Sequence, residues 1–232
     1  MTLPLMHRTR MVAAIAVAAG ALLATPTANA AYEIARGTTA GVPVYTAPNG
    51  AIKQMLDRAS GNSGEPRGFL VLDERFLYSE HWLQVRLGTR PNTASGWILA
   101  SDVETERTST RIAISLRART LTVYRDNRVV LRTQVVIGKP STPTPTGSFA
   151  VWDETPLSDS IYSPYVLSLT AHSNVLKTFD GGEARVAIHG MNGSLAVTPG
   201  TAQSNGCIRV PPAAMGRIAT FAVTGTPVTI TA

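Results

Sequence analysis

The chain has 232 residues with a net charge of +6, and it is 44% hydrophobic and 16% charged. That is too apolar for a disordered chain and long enough for one large domain or two small ones. A single Cys excludes an intramolecular disulfide and a Cys-rich zinc site, and glycines and prolines scattered without a three-residue period exclude a collagen-like fibre.

Residues 1–10 carry His7, Arg8 and Arg10 and no acid, and Met11–Ala24 is uncharged and apolar. Thr25-Pro26 then interrupts the run, and Ala28-Asn29-Ala30 places small residues where a signal peptidase cuts. The order predicts a secretory leader removed after Ala30. The apolar run is shorter than the roughly 20 residues that span a bilayer, so a leader is favoured over an anchor. The mature protein is then expected to be exported to the cell wall, periplasmic space or medium, with no membrane-spanning segment. Residues 31–109 hold eight basic and nine acidic side chains, whereas residues 110–232 hold eleven and six. The second part could favour an anionic polymer such as a cell wall, or simply be a solvated surface. No basic cluster interleaved with aromatics is present, so nucleic acid is not an expected partner.

In chain order, short strands are predicted over Val42–Thr46, Gly68–Asp73, Trp82–Leu87 and Gly96–Leu99, with a brief helix at Ile52–Ala59. Such spacing suggests a small barrel-like module over 31–109. The polar stretch Ser101–Thr110 lacks apolar periodicity and marks the expected boundary. Beyond it, Ile112–Leu116, Thr120–Tyr124 and Val129–Ile137 read as strands, with Asp126-Asn127 making a tight turn. Pro140–Gly147 is a proline-stiffened loop. Further strands are expected at Gly147–Trp152, Tyr165–Leu169, Arg185–His189 and Pro227–Thr231, and a short helix from Pro211 or Pro212 to about Val223. The expected class is mostly β, with a β-sandwich and one or two short helices over 110–232.

Chemistry concentrates near the end. Ala187-Ile188-His189-Gly190 puts a His at the end of an apolar strand, and the sole Cys follows in Ser204-Asn205-Gly206-Cys207. A loop between them can return the two side chains to one place. A nearby imidazole is expected to lower the thiol pKa by taking its proton, and a Gly-led turn can aim amides at an oxyanion. A lone Cys is often a buried apolar residue, and a lone strand His is often a core residue. Those bland readings weaken because the pair shares one Gly-rich segment, and because an unpaired Cys in an exported protein calls for a reactive or bridging role.

His189-Gly190 with Ser204-Asn205-Gly206-Cys207-Ile208-Arg209-Val210 resembles the catalytic signature of the L,D-transpeptidases, the YkuD-type domain of bacterial peptidoglycan metabolism. Gly138-Lys139-Pro140, Thr144-Pro145-Thr146-Gly147-Ser148-Phe149, Ser163-Pro164-Tyr165 and Gly225-Thr226-Pro227-Val228 resemble the same family, over about 110–232. The resemblance implies Cys207 as acylated nucleophile and His189 as base and later proton donor, with Gly190 orienting His189 through its carbonyl. It also implies oxyanion donors around Ser204, Asn205, Gly206 and Cys207, and Arg209 and Tyr165 at the substrate. It further implies attack on a peptidoglycan tetrapeptide stem, release of terminal D-alanine, and transfer of the acyl group to an amine, giving a 3–3 cross-link in a cell wall whose biogenesis sets cell shape. Water as acceptor would make the enzyme an L,D-carboxypeptidase, and a protein amine would attach a protein to the wall.

Asn205 departs from the family, which usually has a second His there, so His189 is expected to be the only base. His172, in a loop-like Ala171-His172-Ser173 stretch, is expected to be exposed. The chemistry implies no metal and no organic cofactor, and a monomer is expected. Sortase-type enzymes also place His before Cys, but with a longer interval and the Arg several residues past the Cys. A wall-binding protein with an inert thiol is the non-enzymatic alternative. Trp82-Leu83-Gln84-Val85 and Gly96-Trp97-Ile98 resemble bacterial Src-homology-3-like domains, while ordinary core tryptophans are the simpler account.

Overall fold

The computed structural model describes residues 31–38, 41–57, 64, 66–193 and 198–232, so the expected leader at 1–30 lies outside the described residues. The described chain opens with β1 (Tyr32–Gly37), β2 (Gly41–Tyr45), β3 (Ile52–Asp57), β4 (Gly68–Leu77), β5 (Glu80–Arg86), β6 (Ser95–Leu99) and β7 (Val103–Thr108). These form one antiparallel sheet in the order β3-β2-β6-β5-β4-β1-β7. Period-2 alternation builds it: Val42 and Val44 of β2, Leu83 and Val85 of β5 and Ile98 of β6 enter one core, joined by Phe69 and Leu87. Trp82 and Trp97 are buried as well, as the simpler account expects of them.

One expectation fails here. Ile52–Asp57 is a strand rather than a helix, in register with β2 from Gly41↔Asp57 to Tyr45↔Ile52. A helix of two turns is too short to stand by itself, so a ready pairing partner outweighs its propensity. The polar stretch in which the boundary is expected carries a strand. Its β7 pairs along all of β1, and Glu106 receives the Arg36 guanidinium at 2.6 Å. As an edge strand with exposed side chains it shows no apolar alternation, which is why its composition misleads.

The second part comprises β8 (Arg111–Ser115), β9 (Thr120–Arg125), β10 (Arg128–Gln134), β11 (Ile137–Gly138), β12 (Gly147–Pro156), β13 (Tyr165–His172), β14 (Thr178–Phe179), β15 (Gly182–Glu183), β16 (Arg185–Gly190), β17 (Ala202–Ser204), β18 (Ile208–Val210), α1 (Pro212–Ala219) and β19 (Pro227–Thr231). Eight of them form a mixed sheet in the order β10-β9-β8-β19-β12-β13-β16-β18. The β9–β10 turn holds Asp126 and Asn127 at φ 51° and 59°, the pair of positive angles that a tight hairpin needs. The helix ends at Ala219, short of the expected Val223, with Thr220 as its cap, whose hydroxyl donates to the Arg217 carbonyl at 2.8 Å. Met215 and Ile218 of α1 seal a core shared with Leu167, Leu169, Ile188 and Ile208. The protein is therefore mostly β.

The two sheets meet over Trp152 of β12. Its ring packs on Phe69, with centroids 6.1 Å apart, and the Arg67 guanidinium lies 4.3 Å from its centroid. A second seam joins Thr224, whose hydroxyl accepts from the Gly68 amide at 2.8 Å and from Arg36 at 3.1 Å. Gly68 must be glycine, since a Cβ would strike the Thr224 carbonyl oxygen.

Candidate active site

The parallel pair β16–β18 is the frame of the site. Its register sets Ile188 against Ile208 and His189 against Arg209. One residue further back, Cys207 stands beside Ala187, on the same face as His189. Strand spacing and rise place the two residues diagonally, about 8 Å apart at Cα. Both line one cavity of about 340 Å³, together with Tyr162, Asn205 and Arg209. The apolar ladder partners Ile188 and Ile208 point the other way, into the core.

His189 is 4% exposed, and its Nδ1 lies 2.6 Å from the Gly190 carbonyl oxygen. A carbonyl only accepts, so Nδ1 carries the proton and Nε2 keeps its lone pair. The Tyr162 ring meets the imidazole edge-on, with centroids 5.0 Å apart. Burial pushes the His189 pKa down to about 4; the Gly190 carbonyl works against this and the Arg209 charge adds to it. The imidazole is therefore neutral at neutral pH. Gly190 does more than supply a carbonyl: a Cβ there would collide with the Ser163 carbonyl oxygen. The Gly190 amide also donates to the Tyr162 carbonyl at 3.1 Å. Asn192 ties down the same turn, its Nδ2 donating to Ser163 Oγ at 2.9 Å and to the Ser163 carbonyl at 3.1 Å. Tyr162 and Asn192 escaped the sequence reading, since nothing in their neighbours marks them.

Cys207 is half-buried and free. Burial raises its thiol pKa, and this outweighs a backbone hydrogen bond with Ala187 and the Arg209 charge, which both lower it. The expectation that the imidazole would lower the thiol pKa is thus reversed: the resting pair is neutral thiol beside neutral imidazole. His189 thus holds an unprotonated ring nitrogen at neutral pH.

The turn before Cys207 is braced from two sides. Ser204 is fully buried; its Oγ donates to the Cys207 carbonyl at 2.6 Å and accepts from the Gly206 amide at 3.1 Å. Ser204 is thus an internal strut of the turn, and the Gly206 amide is already engaged. Gly206 sits at φ 118°, a backbone state that favours glycine. From outside, the proline-rich loop clamps the turn. The Lys139 amide and Thr142 Oγ1 donate to the Ser204 carbonyl at 3.0 and 3.3 Å. Thr144 Oγ1 accepts from the Gly138 amide at 2.9 Å and donates to the Gly206 carbonyl at 2.8 Å.

Two expected placements are corrected. Tyr165 is not at this cavity; it lines a separate one with Arg36, Pro66 and Glu154. Strand alternation explains it, because Val166, not Tyr165, pairs with His189 and shares its face. His172 is neither exposed nor in a loop: it ends β13, is completely buried, and its Nε2 lies 3.0 Å from Glu183. Arg209 lines the same cavity as His189 and Cys207. Its Nε is buried and has no hydrogen-bond partner among the described residues.

Residues 109–230 match the L,D-transpeptidase catalytic domain, YkuD, which is more than half of the chain. The chain belongs to the L,D-transpeptidase family. The YkuD proteins of Bacillus licheniformis and Bacillus subtilis are each 33% identical to it, over 121 and 119 residues. The match takes in 52% and 51% of this chain and 65% and 64% of those relatives, just under two thirds of their length. Among solved structures, the catalytic domain of the Enterococcus faecium L,D-transpeptidase is 28% identical, covering 53% of this chain and 96% of that one, at a TM-score of 0.40. L,D-transpeptidase 3 from Mycobacterium tuberculosis is 14% identical, covering 69% of this chain and 78% of that one, at a TM-score of 0.47. The family acts on cell-wall peptidoglycan, and among the described residues no helix is long and apolar enough to cross a membrane.

Proposed function

We propose that this L,D-transpeptidase family member is an exported cysteine acyltransferase that acts on peptidoglycan tetrapeptide stems, with Cys207 as nucleophile and His189 as base. The observation that carries the reading is the cavity that His189 of β16 and Cys207, just before β18, line together, where Nδ1 of His189 is committed to Gly190 and Nε2 is left to take a proton. As the Cys207 sulfur attacks the carbonyl of the third, diamino-acid residue, Nε2 takes the thiol proton. The tetrahedral oxyanion is met by the Asn205 and Cys207 amides. Collapse breaks the bond to terminal D-alanine, whose amine leaves with the proton from His189, and a thioester remains on Cys207. An acceptor amine on a neighbouring stem then attacks, gives its proton to Nε2, and leaves as a 3–3 cross-linked dimer while the thiol is restored. Losing one oxyanion donor typically costs about 2.7–4 kcal/mol of transition-state stabilisation.

Arg209 supports substrate binding in this scheme, since a buried guanidinium nitrogen with no protein partner suits a stem carboxylate. Residues 1–30 serve as the leader for export, 31–109 form the first module and 110–232 the catalytic domain. Incubation with purified disaccharide-tetrapeptide and mass spectrometry of the products tests the reading. Dimers lacking one D-alanine support transpeptidation. Tripeptides alone assign hydrolysis to the same site, and unchanged substrate refutes both. A carbapenem gives an independent check: it should add its mass to the wild type and not to Cys207→Ser, whereas an inert wild type would favour the wall-binding alternative.

A further inference from the structure

The chain between β13 and β16 does not cross directly. It rises from His172 into a hairpin of β14 and β15 and returns to β16, which carries His189. Ser173, Leu176, Phe179, Asp180 and Ala184 of this excursion line the same cavity as His189 and Cys207, and so make one of its walls. Within itself the wall is held by short-range bonds: Ser173 donates to the Ala184 carbonyl at 2.8 Å, Ala184 donates back to Lys177 at 3.3 Å, the Val175 and Leu176 amides donate to Ser173 Oγ, Glu183 meets His172 and Arg185, and the two strands are two residues each. Phe179 remains 45% exposed, so little apolar burial secures the tip.

Its outer fastenings come from the other sheet, from the loop joining β5 to β6. Arg90 donates through Nη1 to the Ser173 carbonyl at 2.8 Å and through Nη2 to the Leu176 carbonyl at 2.9 Å. Asn92 exchanges hydrogen bonds with the His172 backbone, Oδ1 accepting at 2.7 Å and Nδ2 donating at 2.9 Å, and reaches Asn174 Oδ1 at 3.2 Å. The returning leg is fastened to the same loop, as Arg185 Nη2 donates to the Gly88 carbonyl at 2.9 Å. The loop is itself rigid. Leu87 is fully buried in the first core, its amide donates to the Ala94 carbonyl at 3.0 Å, and the Ala94 amide donates to Pro91 at 2.8 Å.

We infer that Arg90 and Asn92 are positioning residues for donor-stem recognition, through which the first module holds the 173–184 wall of the catalytic cavity in its binding-competent place. The inference rests on the function proposed above and adds a role for the first module within that site. A guanidinium bridging two carbonyls fixes a turn that two short strands cannot fix alone. If the ordered wall falls to about a tenth of the population when the bridge is lost, the apparent affinity for the donor falls about tenfold. The chemistry on His189, which lies on β16, and on Cys207, which directly precedes β18, is left intact.

The test compares wild type with Arg90→Ala, Asn92→Ala and Arg90→Lys by amide hydrogen exchange and by steady-state kinetics on disaccharide-tetrapeptide. The expected result for both alanine variants is about tenfold faster exchange confined to 173–184. KM should rise about tenfold with kcat within about twofold, and Arg90→Lys, which reaches one carbonyl, should fall between. Unchanged exchange in 173–184 together with unchanged KM overturns the inference. Should Arg90→Ala fail to fold, Asn92→Ala and Arg90→Lys decide it by the same readings. Should the wild type not turn over the stem, the proposed function fails; exchange in 173–184 alone then decides whether the first module fixes the wall, faster exchange supporting it and unchanged exchange overturning it.

Discussion

Replacing Thr144 by Val removes one hydroxyl and strands two backbone groups. Thr144 is 4% exposed, and its Oγ1 is the acceptor for the Gly138 amide and the donor to the Gly206 carbonyl. Gly138 and Gly206 are buried, so neither group can turn to water instead. An orphaned buried donor or acceptor costs roughly 1–3 kcal/mol, so the pair predicts a loss of about 2–5 kcal/mol. With a urea slope of about 2–3 kcal/mol per molar for a chain of this size, the midpoint should fall by about 1–2 M at unchanged slope. Thr144→Ser keeps the hydroxyl and should stay within about 1 kcal/mol of wild type. The same variant should also loosen the Cys207 turn, lowering the carbapenem acylation rate more than Thr144→Ser does. A midpoint within experimental error of wild type in Thr144→Val would refute the claim that the proline-rich loop braces the Cys207 turn.

Three further outcomes follow from the same geometry. Because burial holds the His189 pKa at about 4 against an ordinary 6.5, the unfolded chain binds the proton first as pH falls. Stability is therefore full above about pH 6.5 and lost toward pH 4, by about 3 kcal/mol from this residue. His189→Asn should show a correspondingly flatter fall in urea midpoint over that range, and an identical profile would contradict the buried neutral imidazole. The acid limb of kcat/KM should likewise lie well below the ordinary imidazole range. Arg209→Met removes a charge that lowers both the thiol and imidazole pKa, so the iodoacetamide rate profile of Cys207 should move to higher pH; a shift to lower pH would reverse the electrostatic account. Gly190→Ala should cost more than about 3 kcal/mol or prevent folding, since the collision is with a backbone carbonyl rather than a movable side chain; circular dichroism and thermal unfolding would show it.

The sequence exposes those features that local pattern encodes. Strands such as β9, β13 and β19 are legible because apolar residues that become buried recur at every second position, Leu121 and Val123, Leu167 and Leu169, Val228 and Ile230, and the turn at Asp126-Asn127 because few residues accept its angles. His189, Gly190, Cys207 and Arg209 stand out because their residue types and spacing form a motif. The strand β7 is hidden because an edge strand needs only backbone pairing, and β3 because a short amphipathic run suits either period until a partner is known. The role of Ser204 is hidden because a hydroxyl near a Cys reads equally as an oxyanion neighbour or a strut, and only its burial decides. Tyr162 over the imidazole and Arg90 on the far wall are long-range contacts, the latter spanning 83 and 86 positions of chain to its two carbonyls, and no local signal announces them.

The central claim is that the Cys207 sulfur becomes acylated by a peptidoglycan donor with the help of His189. Intact-protein mass spectrometry after rapid mixing with disaccharide-tetrapeptide, without an acceptor amine, reads this directly. An adduct of the donor mass less D-alanine is expected, mapped to Cys207 by peptide digestion and missing from Cys207→Ser. His189→Asn should form it at least about a hundredfold more slowly, as loss of a general base requires. No adduct and no free D-alanine, or an adduct that persists in Cys207→Ser, would contradict it.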